Sequence, residues 1–363
     1  MLACDNNKAL HSQEISAKVN YQHPIPFQPS TYVCFQTNQP IKIDGELKEV
    51  DWEQAPNTAN FVDIEGTLQP IPPLKTTAKL LWDKEYLYIA MVLEEPHLWA
   101  TLKTRDTIIF LDDAIEVFID PDGDGHNYCE LQVNAFNVVW DLLLSKPYHL
   151  GKGPHANSNW DVLGLQTAVS LNGTLNRSED IDKGWTVEMA IPWSALKELT
   201  QSNAPPKNED QWRINLSRVD WLMDLSENTY RKRTKPNSQK PLQEQYYVWS
   251  PQGKIALHHP ETWGYVQFAQ ERVGERSIAF KPNTEEPIKW ALWQLHYQQS
   301  AYFKKYKKYA TSIQEFSKVS LDIPNYEFKL TLDNYTNGYQ LIAPTVKGNS
   351  NWIINEEGLI LKK

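Results

Sequence analysis

Residues 114–134 read Ala114-Ile115-Glu116-Val117-Phe118-Ile119-Asp120, Pro121-Asp122-Gly123-Asp124-Gly125-His126-Asn127, Tyr128-Cys129-Glu130-Leu131-Gln132-Val133-Asn134. Successive side chains of an extended strand point to opposite faces. Ile115, Val117 and Ile119 therefore share one face, and Cys129, Leu131 and Val133 share one face of the second segment. The Asp- and Gly-rich stretch between them has the composition of a hairpin turn. With Asp120 opposite Tyr128, Phe118 faces Glu130 and Glu116 faces Gln132. One face of this hairpin is core. The other carries Glu116, Gln132 and Asn134 beside Phe118 and Tyr128. A carboxylate and amides next to aromatic rings suit a sugar, whose hydroxyls take directional hydrogen bonds and whose C–H faces lie on rings. Alternation by itself favours the plainer reading, an ordinary solvated outer face, in which Glu116 is an exposed strand carboxylate.

Working outward, similar short patterns recur on both sides. They fall at residues 32–35, 74–81, 86–92, 138–144, 165–170, 185–191, 212–219, 246–250 and 263–268, and Ile41 and Ile43 alternate into an Asp44-Gly45 turn. Many short strands without long helices between them predict a mainly β fold, a two-sheet antiparallel β-sandwich. A short helix is expected at Pro192–Leu199, with its proline near the first turn. Residues 222–244 are polar and read as a long exposed loop. Beyond about residue 272 the pattern changes. A helix is expected from Pro287 to about Tyr309, with Ile288, Leu292, Leu295 and Tyr302 on one stripe. Strand-like segments at 326–332, 339–343 and 352–361 follow. The expected organisation is a tether over 1–30, the sandwich over 31–272, and a small α+β appendage, helix plus β-meander, over 287–363.

Composition narrows the function. The chain has 363 residues, 36 Lys+Arg against 45 Asp+Glu, and a net charge of -9. Phosphate binding needs clustered Lys and Arg, so an acidic chain without a basic stripe argues against nucleic acid. No apolar run approaches the ~18 residues of a membrane span. Aromatic residues are abundant, with 14 Trp, 17 Tyr and 11 Phe. Three widely spaced cysteines give neither a disulfide framework nor a zinc pattern. Cys129 and Cys34 read as core residues. Leu2-Ala3-Cys4 resembles the end of a bacterial lipoprotein signal, so Cys4 is a candidate lipidation site and residues 5–30 a polar, Pro-containing tether. The expected location is then extracytoplasmic, periplasmic or at the cell surface, with membrane attachment only through the lipid. Asp120, Asp122 and Asp124 mimic the first half of a calcium loop, although Leu131 stands where such a loop has Glu, and they are candidate Ca²⁺ ligands.

Further motifs appear in order: Pro40-Ile41-Lys42-Ile43-Asp44-Gly45 with Trp52, Leu81-Trp82-Asp83, Glu95-Pro96-His97, Asp113 to Gly123, Trp140-Asp141, Gly184-Trp185-Thr186-Val187-Glu188 with Pro192-Trp193, Trp212-Arg213-Ile214-Asn215, Trp249-Ser250-Pro251 and Trp263-Gly264. Over roughly residues 30–270 this resembles carbohydrate-binding module family 9-like proteins with a DOMON-type β-sandwich. The resemblance implies non-catalytic sugar binding, often with structural calcium, by two tryptophans that clamp a terminal sugar together with a Glu and an Arg. By position the Glu is Glu116. The first Trp falls at Phe110, the Arg at Gln132, and the second Trp near His258 and His259. These departures imply weaker stacking and no charged donor. Trp140 and Trp249 are further candidates near the ligand end, and Asn134 shares the hairpin face. The expected partner is a glycan. Two other readings stay open: a glycoside hydrolase using paired carboxylates such as Glu116 with Glu130 or Asp112 with Asp113, and a haem- or metal-binding relative, for which Met91 and Met189 sit in core alternation.

Overall fold

The computed structural model describes residues 20–363 except 152, 201, 202, 227, 228, 320, 322 and 325. Cys4 and most of the expected tether lie outside the described residues. The chain divides into two units, one spanning His23–Asn283 with Glu357–Leu361 and the other built on Thr284–Glu356.

The first unit is a β-sandwich. Its main strands are β1 (Thr31–Gln36), β2 (Thr76–Trp82), β3 (Tyr86–Glu94), β4 (Ala114–Asp120), β5 (Tyr128–Asn134), β6 (Val139–Leu144), β7 (Gln166–Asn172), β8 (Gly184–Pro192), β9 (Gln211–Asp220), β10 (Gln245–Val248) and β11 (Gly264–Arg272). Hydrogen-bonded neighbours run β6-β5-β4-β9-β11-β1-β2-β3-β8-β7, with β10 added to β9. Most pairs are antiparallel. β1 is parallel to β11 and, at its end, to β2, so it joins the two layers. The ladder thereby folds over on itself. Ile115, Val117 and Ile119 of β4 and Cys129, Leu131 and Val133 of β5 meet Val187, Met189 and Ile191 of β8 in one buried core. Met91 and Met189 are in it too. Trp82, Trp185 and Trp212 belong to the same core, while Trp263 lies in the cluster outside the β4–β5 layer.

The hairpin register is the one alternation gives: Glu116 opposite Gln132, and Phe118 opposite Glu130. Its outer face, however, is not solvated. Phe118 and Tyr128 are large rings, and burying them is favourable. They pack with Leu142, Leu144, Val248, Leu257 and Trp263 under the chain that leads through residues 248–263. Glu116 is consequently only 1% exposed, which corrects the expectation of an exposed carboxylate. Residues 222–244 are not wholly a loop either: Met223–Ser226 and Thr229–Lys232 pair as a short hairpin. The helix expected after β8 is present as Trp193–Leu196 with a 3₁₀ turn at Lys197–Leu199.

In the second unit, α1 (Glu286–Tyr306) buries Ile288, Ala291, Leu292, Leu295 and Tyr302 on one side. It stops three residues before Tyr309, because Lys307 turns to a left-handed φ of 59°. The meander β12 (Thr331–Asn334), β13 (Tyr339–Pro344) and β14 (Asn351–Asn355) is antiparallel. Its first strand begins only at Thr331, later than expected. Among the described residues no helix is long and apolar enough to cross a membrane.

Candidate functional site

Three adjacent strands put one row of side chains on the outer face of the sandwich. Glu116 of β4 faces Gln132 of β5, and Gln132 faces Trp140 of β6. In the next row Phe118 faces Glu130, which faces Leu142. Glu116, Glu130, Gln132, Trp140 and Leu142 floor a cavity of about 390 Å³, walled by Phe110, Tyr148, Tyr246, Ile255 and His258. Five of the expected residues therefore meet there: Phe110, Glu116, Gln132, Trp140 and His258. The Phe110 and Trp140 rings lie 6.3 Å apart at 33°.

The polar floor is partly wired together. Gln132 Nε2 donates to Glu116 Oε1 at 3.1 Å and to Glu130 Oε1 at 2.5 Å. Gln132 Oε1 accepts from the Phe110 backbone N–H at 2.8 Å. The amide is thus a strut that fixes two carboxylates and the Phe110 turn, rather than a free donor and acceptor for a ligand. Glu116 Oε2 and Trp140 Nε1 have no hydrogen-bond partner although both are buried. Ser217, the neighbour of Glu116 in β9, pulls the Glu116 pKa partly back down, yet its hydroxyl makes no bond of ordinary geometry. A buried polar atom without a partner costs free energy, and a ligand can recover it.

Burial, then the charge of Glu130, pushes the Glu116 pKa well above the usual carboxylate range. Burial raises Glu130 to about 7, with the Gln132 bond opposing. His258 is pushed down to about 3 by burial and then by His259, so it is neutral. Its Nδ1 shares a 2.9 Å hydrogen bond with Tyr128 Oη, and its Nε2 lies 3.6 Å from Glu130 Oε2. Tyr148 stands edge-on to the His258 ring at 4.6 Å and is half exposed.

Three expected residues do not line this cavity. Asn134 binds the Leu102 carbonyl and Asp112, and its oxygen accepts from Phe136 and Val138; it caps the β5–β6 turn. Trp249 turns inward and joins the core against Tyr32. Only a glycine fits beside it, since a Cβ on Gly264 would sit 2.5 Å from the Trp249 ring. His259 is buried, pairs with Glu261 at 3.0 Å and stacks on His149 at 4.0 Å. The carboxylate pair Asp112 and Asp113 is also committed to structure: Asp112 accepts from Thr101 and Leu102, and Asp113 from Trp221.

Asp120, Asp122 and Asp124 converge, with oxygens within 4.8 Å of one another. Burial and then the charges of Asp124 and Asp122 push the Asp120 pKa well above the usual carboxylate range. A set of hard oxygen donors under mutual repulsion fits a divalent cation such as Ca²⁺.

Tyr148, Tyr246, Glu244 and Ile255 were not legible as site residues. Tyr148, Glu244 and Ile255 come from irregular chain, where no periodicity assigns a face, and Tyr246 stands on β10 in a run of consecutive apolar residues that alternation does not assign to a face. Only the excess of aromatic residues hinted that rings from loops would take part.

An outer-face cavity on a β-sandwich, with carboxylates and an indole N–H between aromatic rings, is the arrangement of a small-ligand binding module. Residues 43–220 match the family described as carbohydrate family 9 binding domain-like, and the chain carries a domain of that family. Endo-1,4-beta-xylanase A of Thermotoga maritima is 25% identical over 201 residues, 53% of this chain and 16% of that protein. An exoglucanase of Acetivibrio thermocellus is 29% identical over 154 residues, 42% of this chain and 12% of the enzyme. The chain thus spans only a small fraction of the length of these relatives. A solved carbohydrate binding module family 9 from Caldicellulosiruptor kristjanssonii, in complex with cellotriose, shares 16% identity at a TM-score of 0.43, covering 70% of this chain and 100% of that one.

Proposed function

We propose that this protein binds a saccharide in the cavity floored by Glu116, Gln132 and Trp140. The observation that carries the reading is the pair of buried, unpartnered polar atoms, Glu116 Oε2 and Trp140 Nε1, among aromatic walls. The unpartnered Glu116 Oε2 hydrogen-bonds a sugar hydroxyl. Phe110, Trp140 and Tyr148 supply ring faces for sugar C–H groups. Gln132 holds the carboxylates in place. Without a ring-pair clamp or a cationic donor, affinity is on the order of 0.1–1 mM. Calorimetric titration of the full chain with a panel of mono- and oligosaccharides tests this. Saturable binding that Trp140→Ala weakens at least tenfold is expected. No binding across the panel, or equal binding by Trp140→Ala, overturns it. Release of reducing sugar in the same mixtures would instead favour hydrolysis by Glu116 and Glu130.

We also propose that the protein works outside the cytoplasm, lipid-anchored at Cys4; the Leu2-Ala3-Cys4 sequence and the polar stretch after it support this. A radiolabelled fatty acid that fails to enter the protein in its host ends that part. Ca²⁺ at Asp120, Asp122 and Asp124 completes the proposal. There the ion would neutralise the clustered carboxylates of the turn between β4 and β5.

A further inference from the structure

The cavity's charge is one-sided. Glu116, Glu130 and Glu244 line it, and none of its lining residues is Lys or Arg. Its one histidine, His258, is neutral. The remaining titratable groups facing the carboxylates are Tyr128, Tyr148 and Tyr246, all neutral near pH 7. Tyr246 donates to Glu244 Oε1 at 2.8 Å, so that carboxylate is held at the rim rather than turned to solvent. Glu116 is 1% exposed and Glu130 3% exposed, and one amide nitrogen reaches both. Two adjacent buried carboxylates without a cation are an unbalanced set: each ionised form is disfavoured by burial and by the other. A ligand that brings its own positive charge relieves both costs.

Resting on the saccharide reading above, we propose that the preferred ligand is an amino sugar, a saccharide with a primary ammonium group seated against Glu116 and Glu130. The unpartnered Glu116 Oε2 supplies an acceptor that a hydroxyl only partly uses. The low dielectric of the floor strengthens the ion pair relative to the same contact at the surface. A uronic acid places a carboxylate against three others and is repelled. Capping the amine with an acetyl group removes the charge and, with it, the advantage. Affinity for the amino sugar should also fall on acidification through about pH 7, where Glu130 takes up its proton. It should fall again at alkaline pH, where the ligand amine loses its own. A neutral sugar should show neither limb.

The test is calorimetric titration of the full chain at pH 7 with glucosamine, glucose, N-acetylglucosamine and glucuronic acid. Glucosamine should bind at least tenfold more tightly than glucose, N-acetylglucosamine should do no better than glucose, and glucuronic acid should bind most weakly. In Glu116→Gln, affinity for glucosamine should fall at least tenfold and for glucose a few-fold, so the preference collapses. Glu244→Gln, a change at the half-buried rim that leaves the floor intact, should reduce the preference by a smaller factor. Glucose or N-acetylglucosamine binding as tightly as glucosamine overturns this inference while leaving saccharide binding standing. An undiminished preference in both variants also overturns it. If no sugar of any class binds, the saccharide reading falls and this inference with it.

Discussion

Glu116 and Glu188 occupy matching places on opposite layers of the sandwich. Each sits on the outer face of an inner strand, flanked by core residues, and each is buried, at 1% and 0% exposure. Their partners differ. Glu188 Oε1 accepts from Trp52 Nε1 at 2.7 Å, and Oε2 accepts from the backbone N–H groups of Gly45 at 2.6 Å and Asp44 at 3.0 Å. Those bonds pull its pKa down against the larger effect of burial. Glu116 has one donor, the shared Gln132 amide, and another carboxylate beside it. Burial alone therefore does not distinguish a structural carboxylate from one held for a ligand. Satisfaction does: Glu188 spends its oxygens on the Asp44-Gly45 turn and Trp52, and Glu116 keeps one in reserve.

The sharpest way to break this contrast is to truncate both. Glu188→Ala leaves three donors without an acceptor, two of them buried at about 1–3 kcal/mol each before relaxation. A loss of roughly 3–5 kcal/mol is expected, with a fall in melting temperature on the order of 10 °C. Chemical denaturation measures it; a loss under about 1 kcal/mol would mean that Glu188 does not hold the turn. Glu116→Ala should behave in the opposite way. It removes one hydrogen bond but also a desolvated carboxyl oxygen without a partner, so stability should stay within about 1 kcal/mol of wild type. Saccharide binding should become undetectable at millimolar ligand. Unchanged binding together with a large stability loss would make Glu116 a second Glu188.

The Glu116 side of this contrast was partly visible in the sequence, and the limits have physical causes. Alternation around Pro121–Asn127 gave the register, because a hairpin closed by Asp and Gly leaves few ways to pair β4 with β5. Glu116 and Gln132 follow from it, while Trp140 was a candidate only through the family motifs. What covers them does not. Tyr148 and Ile255 arrive from loops without a period, and Tyr246 from a short strand of consecutive apolar residues far along the chain from the hairpin. The burial of Glu116 went unread for the same reason, since alternation distinguishes two faces but says nothing about what lies over the outer one. Asn134 and Trp249 failed as site residues because both stand at strand ends. There a side chain is free to turn toward a loop, as Asn134 does, or into the core beside Gly264, as Trp249 does.

A smaller effect separates the two carboxylate environments by pH. Glu130 has a folded-state pKa of about 7, above its ordinary value of 4.5. The folded state therefore holds this proton more tightly than the unfolded chain does. Its stabilising share is fully present below about pH 4.5, declines as pH rises toward about 7, and is gone above. Glu95, also raised to about 7 by burial against the pull of Arg218, titrates in the same direction. The urea midpoint should accordingly be higher at pH 5.5 than at pH 8. Glu130→Gln should flatten part of that slope and leave the share due to Glu95. An identical slope in the variant would place the titrating proton elsewhere than the cavity floor.

The smallest expected effect concerns the turn that joins β4 to β5. Asp120 is fully buried, and its two oxygens accept from the backbone N–H groups of Gly123 at 2.9 Å and Gly125 at 3.0 Å. Asp122 also accepts from Thr200 at 2.8 Å. Much of the turn is thus already satisfied by the protein, unlike the cavity floor. A cation there would add to a built structure rather than complete it. A ligand that binds only the folded state stabilises by RT ln(1 + [L]/Kd), about 2.7 kcal/mol at a hundredfold excess over Kd. With millimolar Ca²⁺ and a Kd near that concentration, the gain is only a few tenths of a kcal/mol, or roughly 1 °C. Differential scanning calorimetry with Ca²⁺ against EDTA resolves such a shift. Asp122→Asn should abolish it, because the change removes a charge but keeps an acceptor for Thr200. The bound ion should leave saccharide affinity changed by less than about twofold, since the turn's own hydrogen bonds already hold the register of Glu116 and Gln132. Loss of all saccharide binding in EDTA would show instead that the cation, and not the backbone bonds to Asp120, sets the spacing of the hairpin that carries the site.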